Sequence, residues 1–143
     1  MNLSGFRQAI YTRLAGYAPF ASQVVTITDE PDQAAQPEKL SDFPYVVISD
    51  VSIQKWDTKS SDGARHLVQV SVFTRPTGSA SATEAAKAIA QSAYDALHNY
   101  ALPISGSNTV VCQFADSPGT MTDRDGVTRH HPMTFRVLYD DGT

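Results

Sequence analysis

The sequence predicts an α+β fold: a mainly antiparallel sheet with two helices packed on one face, plus a projecting β-arm. Three observations point there. Two stretches carry apolar residues at steps of three and four, the period of a helix lying on a core. Two long β-rich runs flank a polar turn. The order along the chain is helix, three strands, helix, then two or more strands, with no internal repeat. At 143 residues the chain suits one domain, taken as residues 1–143.

Each element has its own local reason. From Leu3 to Tyr17 the residues Leu3, Phe6, Ile10, Leu14 and Tyr17 share one helical face, and Gly16 with Pro19 suits the end of that helix. "VVTIT" (Val24 to Thr28) is a short β-rich run. "DEPDQAAQPEKLSDF" (Asp29 to Phe43) is polar and broken by Pro31 and Pro37, and reads as an exposed loop or arm. "YVVISDVSIQKW", after Pro44, is the first long strand; the second runs from about Ala64 to Arg75, with Asp62-Gly63 as the strongest turn signal between them. Strict alternation puts Val47, Val51 and Ile53 on one face of the first strand, opposite Val46, Ile48 and Ser52. In the second strand it groups Val68, Val70 and Val72.

Past the linker "RPTGSASAT", Ser81 and Glu84 have the spacing of a capping box. The alanine-rich run behind them predicts a helix to about Ala101, with Ala86, Ile89, Ala90, Ala93, Leu97 and Tyr100 as its apolar stripe. "TVVCQFA" (Thr109 to Ala115) and "MTFRVLYD" (Met133 to Asp140) are further strands. Between them, Pro118-Gly119 and Asp125-Gly126 mark turns in a projecting β-arm over residues 117–132. A polar arm contributes little burial, so removing Asp123 to His131 is expected to spare the core.

Composition narrows the function. The net charge is −4, from 15 acidic and 11 basic residues, and the Lys and Arg are scattered rather than striped, against a nucleic-acid reader. No apolar run is long enough to span a membrane. The opening "MNLSGFRQAIYTR" lacks the basic cap and apolar block of a signal peptide and reads as helix. The lone Cys112 excludes an internal disulfide and suggests a reducing compartment; its neighbours Val110, Val111 and Phe114 make it a buried hydrophobe.

No constellation carries a reaction. His130 and His131 are adjacent, so on a strand they face opposite sides and do not chelate one ion. Asp123 to Gly126 has the opening of a calcium loop without its later ligands, and a turn explains it. No serine stands in a nucleophile elbow, no glycine-rich loop carries a lysine for phosphate, and an apolar strand raises a thiol pKa. Trp56 reads either as an interaction anchor or as a residue capping the hairpin. The expectation is no catalytic residue, no cofactor and no metal.

Taken in order, "PYVVISD" (Pro44 to Asp50), "WDTKSSDGARHLVQVSVFTR" (Trp56 to Arg75), "EAAKAIAQSAYDALH" (Glu84 to His98) and "DRDGVTRHHPMTFRV" (Asp123 to Val137) resemble the tail-completion, or tail-terminator-like, proteins of long-tailed bacteriophages and gene transfer agents. Two features depart from that pattern. Phe73 stands where tryptophan is more frequent, and the Asp29 to Phe43 segment is longer. The resemblance implies a non-enzymatic virion protein, assembled in the host bacterial cytoplasm. It implies a homo-oligomeric ring, usually hexameric, at the head-proximal end of the tail tube. Such a ring ends tube growth and joins the tail to the head connector or stopper, while DNA passes through its pore unbound. The candidate contacts, with itself or with the tail-tube and connector proteins, are Trp56, Asp62, Gly63, Asp123, Arg124, Asp125, Gly126 and Arg129. A connector-side adaptor and a small hydrolase are the competing readings.

Overall fold

The computed structural model of the chain describes residues 3–28, 43–57, 62–76, 81–102, 109–124 and 126–140. It is a mixed sheet, mostly strand, with three helices. Helix α1 (Leu3–Gly16) buries Phe6, Ile10 and Leu14 completely, which is the stripe its period demands. Pro19 does not close that helix. Tyr17 turns extended, and a second short helix, α2 (Ala18–Ala21), starts behind it with the proline in its first turn. There the missing N–H has no intrahelical partner to lose. Phe20, which α2 carries, is fully buried.

Helix α3 (Ala82–Leu97) starts where the capping box places it: the Glu84 N–H donates to Ser81 Oγ at 3.3 Å. Ala86, Ala93 and Ala96 are fully buried along its inner side, so the backbone lies close to its neighbours. Arg13 ties α1 to α3, its Nε donating to the Ala96 carbonyl at 2.9 Å while its guanidinium covers the Tyr100 ring at 3.9 Å. The helix ends short of the predicted Ala101. Asn99 adopts a left-handed conformation (φ 59°) and its N–H donates to the Cys112 carbonyl at 2.7 Å. Asparagine tolerates that geometry, and the chain leaves as strand β4 (Tyr100–Ala101).

The remaining strands are β1 (Thr26–Thr28), β2 (Tyr45–Asp57), β3 (Asp62–Thr74), β5 (Thr109–Asp116), β6 (Met121–Thr122) and β7 (Arg129–Asp140). They form one sheet in the order β1-β2-β3-β7-β5-β4, with β6 beside β7. Every pair is antiparallel except β1 with β2, which run parallel. A parallel neighbour cannot be reached by a tight turn, which agrees with the long stretch of sequence between Thr28 and Tyr45. The loop or arm expected at residues 29–43 falls on that connection and, apart from Phe43, lies outside the described residues.

Val68, Val70 and Val72 on β3 join Val46 and Ile48 of β2, Met133, Phe135 and Val137 of β7, and Cys112 of β5 in one core with the helices. The face of β2 is not the one strict alternation predicts. Asp50 pairs with Val68 and Ser52 with Leu67, leaving Val51 as the extra residue of a β-bulge. The bulge reverses the alternation. Ile53 lies opposite the buried His66 on the core side, whereas Val47 lies opposite Ser71 on the other side.

Strand β7 starts earlier than expected, and Pro132 stands inside it opposite Ser71. The Pro132 carbonyl accepts from the Ser117 hydroxyl at 2.7 Å on the β5 side, so its ring nitrogen faces that side too. The absent N–H therefore removes no bond to β3. Residues 129–132, the end of the expected arm, lie in register with Thr74 to Ser71.

His66 is fully buried. Its Nε2 lies 2.9 Å from Asp50 Oδ1, its ring meets Phe6 edge-on at 4.6 Å, and its Nδ1 has no hydrogen-bond partner. Burial pushes its pKa down, against the pull of the Asp50 carboxylate. Burial also lowers His130 and His131. The sign follows directly. With these folded pKa values below the ordinary 6.5, the unfolded chain binds more protons, and stability is lost as pH falls through that value. The melting temperature is expected to drop between pH 7.5 and 5.5, and to drop less in His66→Gln; a flat profile in the parent chain would refute this. At the helix cap, Ser81→Ala is expected to cost about 1 kcal/mol, a fall of roughly 3 °C by circular dichroism.

Candidate functional site

The residues predicted to make contacts fall into two groups. Trp56, Asp62 and Gly63 lie at the far end of the β2–β3 hairpin, with Trp56 opposite Gly63 and Asp57 opposite Asp62. Asp62 and Gly63 are strand residues, not the turn itself: Gly63 is also paired with Asp140 on its other side. Two-sided pairing overrides the local preference of Asp-Gly for a turn. The second group lies at the opposite end of β7. Roughly 36 Å of extended strand separates Arg129 from Asp140, so the two groups do not form one site.

The second group is a compact turn. The Asp123 N–H donates to the Thr128 carbonyl at 2.9 Å, and the Gly126 N–H to the Asp123 carbonyl at 3.0 Å. Gly126 has φ 73°, a value glycine adopts without strain. Arg129 donates to the Val127 carbonyl at 3.2 Å. Arg124 is exposed, and Asp125 lies outside the described residues. Arg75 Nε donates to Thr128 Oγ1 at 2.9 Å, and Thr128 is 3 % exposed. Removing Asp123 to His131 would therefore take away buried contacts and the partners of Val72 and Phe73 in β3, contrary to the expectation that the core is spared.

Next to this turn an aromatic ladder crosses three strands on the face opposite the core. Phe43, Tyr45, Phe73 and His130 follow one another at centroid distances of 5.1, 4.7 and 4.4 Å, with the Arg75 guanidinium 4.4 Å from the Phe43 ring. Burial first, and then the Asp123 carboxylate, raise the Tyr45 pKa, which places Asp123 near the ladder. The arrangement is a cross-strand clamp. It offers no reacting pair, because the phenol is held protonated and the imidazole neutral at pH 7.

The other chemically capable groups are dispersed. His131 faces away from His130; its Nδ1 lies 2.8 Å from Thr120 Oγ1 and its Nε2 3.4 Å from Ser117 Oγ. Burial pushes the Cys112 thiol up to about 12, far from a thiolate at neutral pH. Among the described residues no three His, Cys, Asp or Glu side chains converge as metal ligands. A shallow groove of about 290 Å³ between α1 and β1 is lined by Arg7, Gln8, Tyr11, Ile27 and Thr28, none of which is a nucleophile-and-base pair.

What the structure does build is a lopsided sheet. On one side β1 covers only Tyr45, Val46 and Val47 of β2, and from Ile48 to Asp57 that outer edge has no partner strand among the described residues. Val51 and Ile53, on this stretch, are 53 % and 39 % exposed. On the other side β5 is blunted: β4 pairs with Val111 and Cys112, and the Phe114 N–H donates to His98 Nδ1 at 3.1 Å. Sequence reasoning missed this asymmetry. Its signal was the run of apolar residues past Asp50, read as one continuous face.

The comparisons with known proteins agree with the architecture. A chain in the virion of a native gene transfer agent particle has the same fold, with a TM-score of 0.79, 23 % identity and 96 % of each chain covered. No curated protein matches. The family described as tail completion protein gp17 matches residues 8–140. With nearly its whole length matched, the chain belongs to the tail completion protein gp17 family.

Proposed function

We propose that this chain is a structural, non-enzymatic virion protein that forms a ring, most simply a hexamer, at the head-proximal end of a long tail. The ring ends growth of the tail tube and joins it to the head connector, and DNA passes through its pore without specific binding. Family membership supplies the tail context. The observation that carries the self-assembly is the one-sided sheet, with a β2 edge that no described strand covers from Ile48 to Asp57, carrying the exposed Val51 and Ile53, and a blunted edge at β5. An open edge of this kind is a template for another chain's main chain. Contacts that are not self-reciprocal close into a ring when the rotation between copies divides a full turn.

The acidic balance of each copy, −4, suits a pore that a polyanion has to slide through. The β6–β7 turn of Asp123, Arg124, Gly126 and Arg129 is the second contact region, tied to the end of β3 by the Arg75–Thr128 hydrogen bond and available to the tail-tube or connector protein.

Electron microscopy of the purified protein, alone and with tail-tube protein, tests the reading: closed rings are expected, and single subunits under both conditions would reject it. The edge has its own test. Val51→Lys with Gln54→Lys puts two charges on exposed positions of β2, and is expected to leave the melting temperature within about 2 °C while abolishing the rings. Undiminished rings in that variant would remove β2 from the interface.

A further inference from the structure

Two arginines share the sheet face opposite the core. Arg65 of β3 lies opposite Leu138 of β7, and Leu67 of β3 lies opposite Arg136 of β7. The two arginines are thus diagonal neighbours, about 7–8 Å apart at Cβ. Their register neighbours are Leu67, Leu138 and, across to β5, Val111 and Gln113; Asp140, whose side chain lies outside the described residues, follows Leu138 by two positions on β7. Arg136 is only partly exposed, and its Nε is buried without a hydrogen-bond partner. Among the described residues neither guanidinium has an ion pair or a hydrogen bond. Among the described residues of a chain with more acidic than basic residues, two neighbouring cations thus stand without a partner, one of them partly withdrawn from water.

We propose that Arg65 and Arg136 form a docking site for carboxylates of a neighbouring copy of this chain, with Leu67, Leu138 and Val111 as the apolar floor beside them. The inference rests on the self-assembly reading above and names the surface through which it acts. A guanidinium fork matches a carboxylate in two parallel hydrogen bonds. Arginine mixed with aliphatic side chains is the composition of a protein interface. A nucleic-acid surface needs a track of several exposed cations, and here there are two, one half sunk among leucines. A second copy suits the charge, since each copy carries a net charge of −4, and it suits the position. Gln54, on the open β2 edge, is directly opposite Arg65, so the arginine face is continuous with the edge through which copies are proposed to meet.

The test is sedimentation equilibrium on the full chain, the parent beside Arg65→Gln/Arg136→Gln, at 0.05 and 0.5 M NaCl. The double variant is expected to self-associate at least tenfold more weakly, and salt should weaken the parent but not the variant. Arg65→Gln alone, at an exposed position, and Arg136→Lys, which keeps the charge but not the fork, serve if the double variant does not fold by circular dichroism; each should give an intermediate loss. Self-association unchanged in the variants, while the parent assembles, would overturn this inference and leave the ring reading standing. A parent that stays monomeric at every concentration would overturn both. Retention of a labelled DNA duplex by the parent at 0.05 M NaCl, lost in the double variant, would reassign the pair to phosphate and overturn the proposal.

Discussion

Strand β3 is paired along its length with β2 on one side and β7 on the other, and the remaining features take their positions from that double pairing. Because neighbours on both sides hold its register, its alternate residues cannot slip between faces. Val68, Val70 and Val72 are therefore committed to the helices, and Arg65, Leu67 and Phe73 to the opposite side. The same pairing aligns Tyr45, Phe73 and His130 as a ladder, because each is the direct cross-strand neighbour of the next. It also draws Asp62 and Gly63 into the strand despite their preference for a turn.

A sheet held from its middle has to deal with its two margins, and this one treats them differently. At β5 the margin is short and closed, by two residues of β4 and by the His98 ring standing in for a strand. At β2 it runs past its small parallel partner into a bulge that leaves Val51 exposed, with Ile53 beyond it only partly covered on the core side. A bulge twists an edge and discourages indiscriminate pairing. Apolar side chains on it favour burial against something of matching shape.

The chemistry of the chain is subordinate to packing. Its buried histidines are neutral elements of walls and ladders, and its cysteine is a small apolar residue on β5. The one consequence of titration is mechanical. Protonating imidazoles inside the fold opposes it, so acid acts on stability.

Much of this was legible in the order of residues. Helix periodicity is local, so Phe6, Ile10 and Leu14 announced α1, and Ser81 with Glu84 announced the start of α3. The alternating valines of β3 declared their face, and the quoted pieces in order declared the family. The rest depended on partners distant in sequence. Whether Pro132 breaks a strand depends on which side its nitrogen faces, and α3 ends at Leu97 because Asn99 finds the Cys112 carbonyl. A bulge at Val51 exists only relative to the opposing strand, and Arg65 meets Arg136 only once β3 lies against β7. Local periodicity thus determined the elements and their buried sides; long-range backbone pairing decided register, edges and which charges became neighbours, because those are relations between segments that no single segment contains.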